Sequence, residues 1–236
     1  EALLTLSRFK GMPQFEWVDE ITARLDSGLA LSHNQNKIIE FEQNRYLKGL
    51  EHITPIYNSI LYKKALAIQY KSFKHKDQLI NLHCYYLKQY NNRWYVFGQN
   101  DTSGYIMNLA LDRILEIREI DLIFKVNHMI NFDEYFEDIV GVTIVNEAKT
   151  EVITLKISNA LYPYIQTKPI HGSQKLLEYQ QTHILITLEI IPNYELESLL
   201  LSYGEGIEVV SPLVFRERII CRAQLIINNY KNLGCS

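Results

Sequence analysis

The sequence has few cysteines, and none lies in a disulfide or metal-binding pattern. Its three, Cys84, Cys221 and Cys235, are an odd number without a CxxC pair. Such a set is typical of a reducing compartment, where thiols are buried or incidental. No apolar run approaches the roughly 20 residues that a membrane-spanning helix needs, and no charged-then-apolar leader opens the chain. We therefore expect a cytoplasmic protein with no membrane partner.

Patterns of known catalytic and metal centres are also absent. The sequence contains no GxSxG, HExxH or P-loop pattern. His83 and Cys84 are adjacent, so on a strand they would point to opposite faces and could not easily share one ion. Carboxylates are plentiful, but nothing in the sequence pairs them. We expect no metal, no cofactor and no enzymatic activity.

The chain does have a globular composition with one basic segment. Of its 236 residues, 47% are hydrophobic and 22% are charged, and the net charge is −3. These values argue against disorder and against a generally basic, nucleic-acid-coating surface. Residues 63–121 carry nine Lys and Arg but six Asp and Glu, a net charge of +3. This excess is either a chance fluctuation on a solvated surface or a feature that serves an anionic partner.

The first half of the chain changes from helical to β-rich patterning. Residues 1–30 have helical spacing, and Thr54-Pro55 starts a second predicted helix that ends near Lys63-Lys64. Four runs of β-branched and aromatic residues follow, at 65–73, 78–89, 93–99 and 105–120. The last run is long enough to bend and form two edges of a small barrel. These features predict a small SH3-like or Sm-like antiparallel β-barrel.

After Asp121 the pattern changes again. Residues 131–136 are acidic, aromatic and turn-like, so we place a linker at 122–142. The elements predicted beyond it are strand 150–157, helix 159–166, strand 173–180, strand 183–190, helix 194–203, strand 206–210 and helix 212–230. This is the ferredoxin-like βαββαβ order with an extra C-terminal helix. The predicted fold class is thus α+β, with a helical linker segment at 1–52, the barrel at 53–121 and the ferredoxin-like domain at 143–236.

Aromatic and cationic side chains are concentrated in the barrel segment. The run Arg93-Trp94-Tyr95 places a cation and two large rings on one strand, with Arg93 and Tyr95 on one face and Trp94 on the other. Nucleobases need rings to stack on, and phosphates need cations. For Trp94 we favour core packing. For Arg93 and Arg113 we favour a functional role, because an arginine beside apolar neighbours must find an anion. Asp112 is the competing partner within the chain for either arginine.

A polar turn at 168–174 is a second candidate site. His171, Ser173 and Gln174 would either contact the polar edge of a ligand or satisfy backbone groups within a tight loop. The sequence leaves these two interpretations open.

Several segments resemble one protein family. Leu87–Gly98 is similar to the signature strand pair of WYL-domain proteins, with Val96 in place of the name-giving Leu. Ala67–Phe73 resembles the first strand of that family, and Leu109–Ile114 resembles its closing Leu-Asp-Arg-Ile segment.

The downstream half resembles WCX, the C-terminal extension of WYL proteins. The similar stretches are Pro169–Gln174, Asn193–Leu196 and Ser202–Pro212. Several moderately specific motifs in one order are much stronger than any of them alone.

The resemblance implies a bacterial transcriptional regulator in which a winged helix-turn-helix precedes the WYL barrel and the WCX domain. The WYL part would sense a nucleotide or nucleic acid and pass the signal to the DNA-binding part. We expect that DNA-binding domain to be missing here, because residues 1–50 are too short and lack a basic recognition helix. Many relatives have an arginine six residues before the equivalent of Arg113, where this chain has Met107.

We predict that this region senses an effector and forms a homodimer, with DNA bound through the absent N-terminal domain. His171, Ser173 and Gln174 would close over the site or contact a second subunit. A stand-alone nucleic-acid-binding module and a ligand-free dimerisation unit are the alternatives. The predicted ligand face on the barrel consists of Tyr70, Ser72, His83, Arg93, Tyr95, Asn108 and Arg113.

Overall fold

The protein, seen in a computed structural model, consists of two compact units, Glu1–Asn127 and His128–Ser236. The structure describes residues 48–71, 77–145 and 148–231. Among these described residues, each unit contains one antiparallel sheet, with five strands in the first and four in the second, and five α-helices complete a mixed α/β architecture. Within the described ranges, no helix is long and apolar enough to span a bilayer. The predictions for residues 1–47, and that for Ser72, lie outside these ranges.

The first unit places a helix before a five-stranded sheet. A 3-10 turn at Leu50–His52 leads into helix α1, Ile53–Leu61. The strands are β1 (Ala65–Tyr70), β2 (Gln78–Tyr90), β3 (Arg93–Asn100), β4 (Ile106–Ala110) and β5 (Ile114–Ile120). Their order in the sheet is β4-β3-β2-β1-β5. The predicted strand runs are therefore confirmed within the described residues, and the end of the first run at 72–73 lies outside them.

The bend expected in the run at 105–120 is also confirmed. A 3-10 turn at Leu111–Arg113 separates β4 from β5, and these two strands form opposite edges of the sheet. The long strand β2 joins the β1-β5 part of the sheet to the β3-β4 part, because its first half pairs with β1 and its second half pairs with β3. A bulge between Cys84 and Tyr86 bends β2 where the pairing changes. Position 98 beside this bulge requires glycine, because the Cβ atom of any other residue would clash with the His83 carbonyl oxygen at 2.4 Å.

A continuous apolar core fills the inner side of this sheet. Ile56 of α1 is completely buried, as are Ile68, Leu82 and Val96 from three successive strands. Leu111 in the 3-10 turn is equally buried and belongs to the same cluster. The core therefore fixes the turn that follows β4, and with it the two polar residues that come next.

The second unit begins with a short helix where the sequence predicted a turn. Helix α2 spans Phe132–Glu137, and Asn131 caps it by accepting a hydrogen bond from the backbone N–H of Asp133 at 3.2 Å. An Asn before a short acidic stretch is a helix-start signal, and here this signal outweighs the turn-like composition of the segment.

The remaining elements follow the predicted order. They are β6 (Glu151–Ser158), α3 (Tyr162–Thr167), β7 (Lys175–Tyr179), β8 (His183–Ile190), α4 (Tyr194–Ser202), β9 (Ile207–Ser211) and α5 (Leu213–Lys231). No predicted bound differs from the observed one by more than three residues. The strands lie in the order β7-β8-β6-β9. Alternate residues of β6 and β8 are buried, together with Leu196 of α4 and Phe215 of α5.

Asn193 joins the start of α4 to the loop that precedes β6. Its side chain is 2% exposed. The Oδ1 atom accepts a hydrogen bond from the N–H of Leu196 at 2.9 Å, and Nδ2 donates to the carbonyl of Val140 at 2.7 Å. One buried amide therefore satisfies two backbone groups that would otherwise lack partners.

Replacing Asn193 with Ala should lower the free energy of unfolding by about 2–4 kcal/mol, because a helix cap is lost and a buried carbonyl loses its donor. Urea denaturation followed by circular dichroism measures this loss. Asn131→Ala is the matched control, since it removes an exposed cap and should cost about 0.5–1 kcal/mol. Equal losses in the two variants would contradict the role given to Asn193.

Candidate functional site

Five polar and aromatic side chains come together where β1, β3 and the 3-10 turn meet. Tyr70 ends β1, Arg93 begins β3, and Asp112 and Arg113 lie in the turn. Tyr95 completes the set, because the pairing of β3 with β4 places it opposite Ala110, directly before the turn. We name these five residues the arginine–tyrosine cluster.

Tyr70 is the anchor of the cluster. Its side chain is largely buried, and its hydroxyl oxygen accepts a hydrogen bond from the N–H of Ala110 at 3.2 Å. Burial raises the pKa of Tyr70, so the phenol stays neutral. The guanidinium of Arg113 lies 4.7 Å from the centre of the Tyr70 ring, and its Nε donates to the carbonyl of Lys71 at 2.9 Å. The ring and the turn backbone therefore hold this cation in place.

Arg93 forms an ion pair with Asp112, the residue named from the sequence as the competing partner for either Arg93 or Arg113. The distance from Nη2 to Oδ2 is 3.2 Å, and the two side chains are 44% and 20% exposed. The other carboxylate oxygen, Oδ1, is buried and has no hydrogen-bond partner among the residues that the structure describes. The guanidinium thus lies at the surface with a carboxylate against one side.

The β2–β3 hairpin adds further residues to the same face of the sheet. Its turn, Asn91-Asn92, has positive φ at both positions, which fits a two-residue hairpin turn. The resulting register places Lys88 opposite Tyr95, and β4 places Asn108 opposite Phe97. Directly opposed residues of an antiparallel pair share a face. Asn108 therefore lies on the face expected for it.

Lys88 was not among the predicted site residues. Partial burial lowers the pKa of its amine, so its positive charge is poorly hydrated. The Asn91-Asn92 turn fixes the register of the hairpin. Pairing the residues outward from this turn, two by two, places Lys88 opposite Tyr95, so the sequence did contain a signal for Lys88.

Trp94 lies on the opposite face and packs partly against the core, next to the buried Val96. Phe97 is on the face of Tyr95, yet it is fully buried and contacts Tyr86 edge-to-face at 6.4 Å. The accessible part of this face therefore lies towards the turn end of the hairpin. Met107 packs against the core, on the face of the sheet opposite that of Asn108.

His83 lies far from the cluster. It pairs with Gln99, six positions along β3 from Arg93, a separation of about 20 Å in an extended strand. Its ring is completely buried, with Nε2 3.2 Å from Asp101 Oδ1 and Nδ1 accepting from the N–H of Lys125 at 3.3 Å. The imidazole also contacts the ring of Phe124. His83 therefore fastens the segment after β5 to the hairpin.

The three candidates of the second unit hold their own loop. Gln174 accepts a hydrogen bond from the N–H of Ile170 at 3.0 Å and donates to the carbonyl of Ile165 at 3.2 Å. Ser173 Oγ accepts from the N–H of Glu189 at 2.9 Å and lies 2.8 Å from Nδ1 of His171. Burial lowers the pKa of His171. These contacts favour the loop-forming interpretation.

No group of His, Cys, Asp and Glu in the described ranges is arranged to hold a metal ion. The chemistry available at the arginine–tyrosine cluster is that of cations and aromatic rings. Such a surface can bind an anion and stack against a planar group.

Two solved structures resemble parts of this chain. Proteasome accessory factor B/C (PafBC) of Arthrobacter aurescens is 17% identical, with a TM-score of 0.37, over 86% of this chain and 30% of that one. A CRISPR Cas-related protein is 10% identical, with a TM-score of 0.46, over 78% of this chain and 52% of that one. The chain thus spans about half or less of either protein. No curated protein matches it.

Family models identify both units. The model described as the WYL domain matches residues 51–119, and the model described as the WCX domain matches residues 149–227. The two matches cover most of the chain in the order that the motifs indicated. The chain therefore belongs to the WYL-domain proteins and carries a WCX domain after its WYL domain.

Proposed function

We propose that this chain is the effector-sensing region of a bacterial transcriptional regulator, and that its WYL domain binds a nucleotide or a single-stranded nucleic acid. The observation that carries the proposal is the arginine–tyrosine cluster, in which Arg93 and Arg113 lie beside Tyr70 and Tyr95 at the end of one sheet. The family membership supports a regulatory, ligand-sensing role for the region.

The charges of the cluster suit phosphate. A guanidinium presents several N–H donors in a plane and can contact two phosphate oxygens at once. Arg93 is half exposed and can reach a ligand. Arg113 is already oriented by Tyr70 and the carbonyl of Lys71, so little side-chain entropy is lost when it meets an anion. Lys88, on the same face, adds a third positive charge.

The rings suit the bases. Tyr95 lies between Lys88 and Ala110 on the face of the sheet, and a base that stacks on such a ring gains about 1–3 kcal/mol. Asn108 supplies an amide on this face. The contact set that we propose is Tyr70, Lys88, Arg93, Tyr95, Asn108 and Arg113.

The finer description of the fold belongs to the same proposal. The order β4-β3-β2-β1-β5, with the two edge strands joined by a 3-10 turn, supports an Sm-like barrel at 53–121. The strands lie in the order β7-β8-β6-β9, and in the chain a helix follows β6 and another follows β8. This arrangement supports a ferredoxin-like domain at 143–236. The linker at 122–142 and the helical segment at 1–52 remain predictions.

The region would act without catalysis, as part of a cytoplasmic homodimer. DNA would be bound by a domain outside this chain. The ligand would favour one dimer arrangement over another, which requires different affinities for the two arrangements.

Substitution of the two arginines tests the site. Arg93→Ala and Arg113→Ala should each weaken binding of a labelled single-stranded oligonucleotide about tenfold to a hundredfold, because a charge-assisted contact to phosphate is lost. Each should also reduce the slope of log affinity against log salt by about 1. Fluorescence anisotropy between about 50 and 200 mM salt measures both quantities.

Arg118→Ala is the matched control for this experiment. It removes the same charge from the same unit, but Arg118 is exposed on β5 and paired with Glu116 at 2.8 Å. It should bind the oligonucleotide nearly as the parent does. If both site variants also bind like the parent, the site assignment is wrong.

A ligand panel tests whether the region senses anything. A nucleotide or oligonucleotide present at 100 times its dissociation constant should add about 2.7 kcal/mol to the free energy of unfolding, because it binds only the folded state. Denaturation midpoints measured with each ligand reveal this gain. Unchanged midpoints across the panel would contradict sensing and leave a ligand-free dimerisation unit. A gain confined to long strands, with a steep salt dependence, would instead support a stand-alone nucleic-acid-binding module.

A further inference from the structure

We propose that Asp112 is an internal anion that occupies Arg93 in the unliganded protein, so that a phosphate-bearing ligand must displace it. This inference rests on the proposed function and names the residue that sets the affinity and selectivity of that site. Asp112 would contribute by competing with the ligand and not by contacting it.

The geometry of the pair makes competition unavoidable. Asp112 Oδ2 lies 3.2 Å from Nη2 of Arg93. A carboxylate and a phosphodiester both offer two oxygens to the same planar donors of a guanidinium. A phosphate that approaches the exposed side of Arg93 therefore finds one edge of the guanidinium already in use.

The carboxylate is also held weakly enough to be displaced. Its Oδ1 is buried without a hydrogen-bond partner in the described part of the chain, and an unsatisfied buried acceptor is unfavourable. The ion pair itself is partly exposed to solvent, where such pairs stabilise a protein little. Rotation of Asp112 towards solvent would hydrate both oxygens and release Arg93.

Displacement of Asp112 leaves the rest of the cluster intact. Arg113, the next residue in the chain, is held by the Tyr70 ring and the carbonyl of Lys71. The backbone of the turn is fixed by the buried Leu111. The exchange of partners is therefore confined to Arg93 and the Asp112 side chain.

Competition of this kind makes the site selective. A ligand that carries phosphate gains a contact with Arg93, and this contact offsets the free energy lost when the Arg93–Asp112 pair is broken. A neutral nucleoside cannot pair with Arg93, so the presence of Asp112 makes no difference to it. The internal carboxylate thus lowers the affinity of every ligand that must pair with Arg93. Anions without a stacking base are affected most, because they have no other contact to compensate for the lost internal pair.

Asp112→Asn tests the inference, because it removes the charge and keeps the shape of the side chain. The variant should bind a labelled single-stranded oligonucleotide about three to ten times more tightly than the parent. Binding of an uncharged nucleoside should not change. Anisotropy for the oligonucleotide and calorimetry for the nucleoside measure these affinities, and circular dichroism confirms that the variant is folded.

Glu116→Gln is the matched control. It also removes one negative charge from an arginine pair of the first unit, but Glu116 is on β5 and its partner is Arg118. Screening at physiological salt limits the reach of that charge to about 8 Å, so the control should tighten binding less than twofold. A gain equal to that of Asp112→Asn would show a general charge effect and overturn the inference.

The double variant shows whether the effect passes through Arg93. In an Arg93→Ala background, Asp112→Asn should give no more tightening than the control substitution. Unchanged or weaker binding by Asp112→Asn alone overturns the inference, since the carboxylate would then position Arg93 for the ligand. If the parent binds and needs Arg93, the proposed function survives that outcome. If neither the parent nor Asp112→Asn binds, both fail.

Discussion

The candidate site depends on one buried hydrogen bond, from the N–H of Ala110 to the hydroxyl of Tyr70. Ala110 is the last residue of edge strand β4, and Tyr70 is the last residue of β1, which is not a neighbour of β4 in the sheet. The bond therefore joins parts of the sheet that share no backbone ladder. Because the turn with Asp112 and Arg113 follows Ala110 directly, this contact also sets where the two charges lie. The phenol ring that accepts the bond is the ring on which Arg113 stacks.

Local patterning predicts the elements of this protein well, since the signals that define them are close in sequence. Alternation, helix caps and turn residues gave every described strand and the order of the second unit. Asp112 could be named in advance as a competing partner, because an arginine beside apolar neighbours needs an anion. The sequence left open whether it would pair with Arg93 or with Arg113. Helix α2 was missed, since a helix of six residues leaves too short a pattern to outweigh its turn-like composition.

The contents of the site were harder to predict, because they depend on register and not on residue type. His83 has the right chemistry, and its pairing with Gln99 puts it on the face of Arg93, but at the far end of β3. The bulge after Cys84 also interrupts the alternation of side chains between the two faces of β2. The face on which Lys88 lies therefore cannot be found by counting residues from His83. Gln174 shows a different limit. Its amide has the chemistry of a ligand contact, yet both of its polar atoms bind backbone groups, one at Ile170 in the same loop and one at Ile165 in α3.

One feature of this chain reduces the positive charge at the proposed site, because Asp112 neutralises part of Arg93. Met107, where the family resemblance implies an arginine, packs against the core on the other face of the sheet. Charge alone would then attract phosphate weakly, and at physiological salt the attraction would be screened within about 8 Å. Under the proposed function, binding would draw more of its free energy from stacking on rings such as Tyr95, which salt does not screen. A site built this way should discriminate between bases, or between stacked and unstacked strands, more than between anions of different charge. Such discrimination suits a sensor, because abundant inorganic anions would not occupy it.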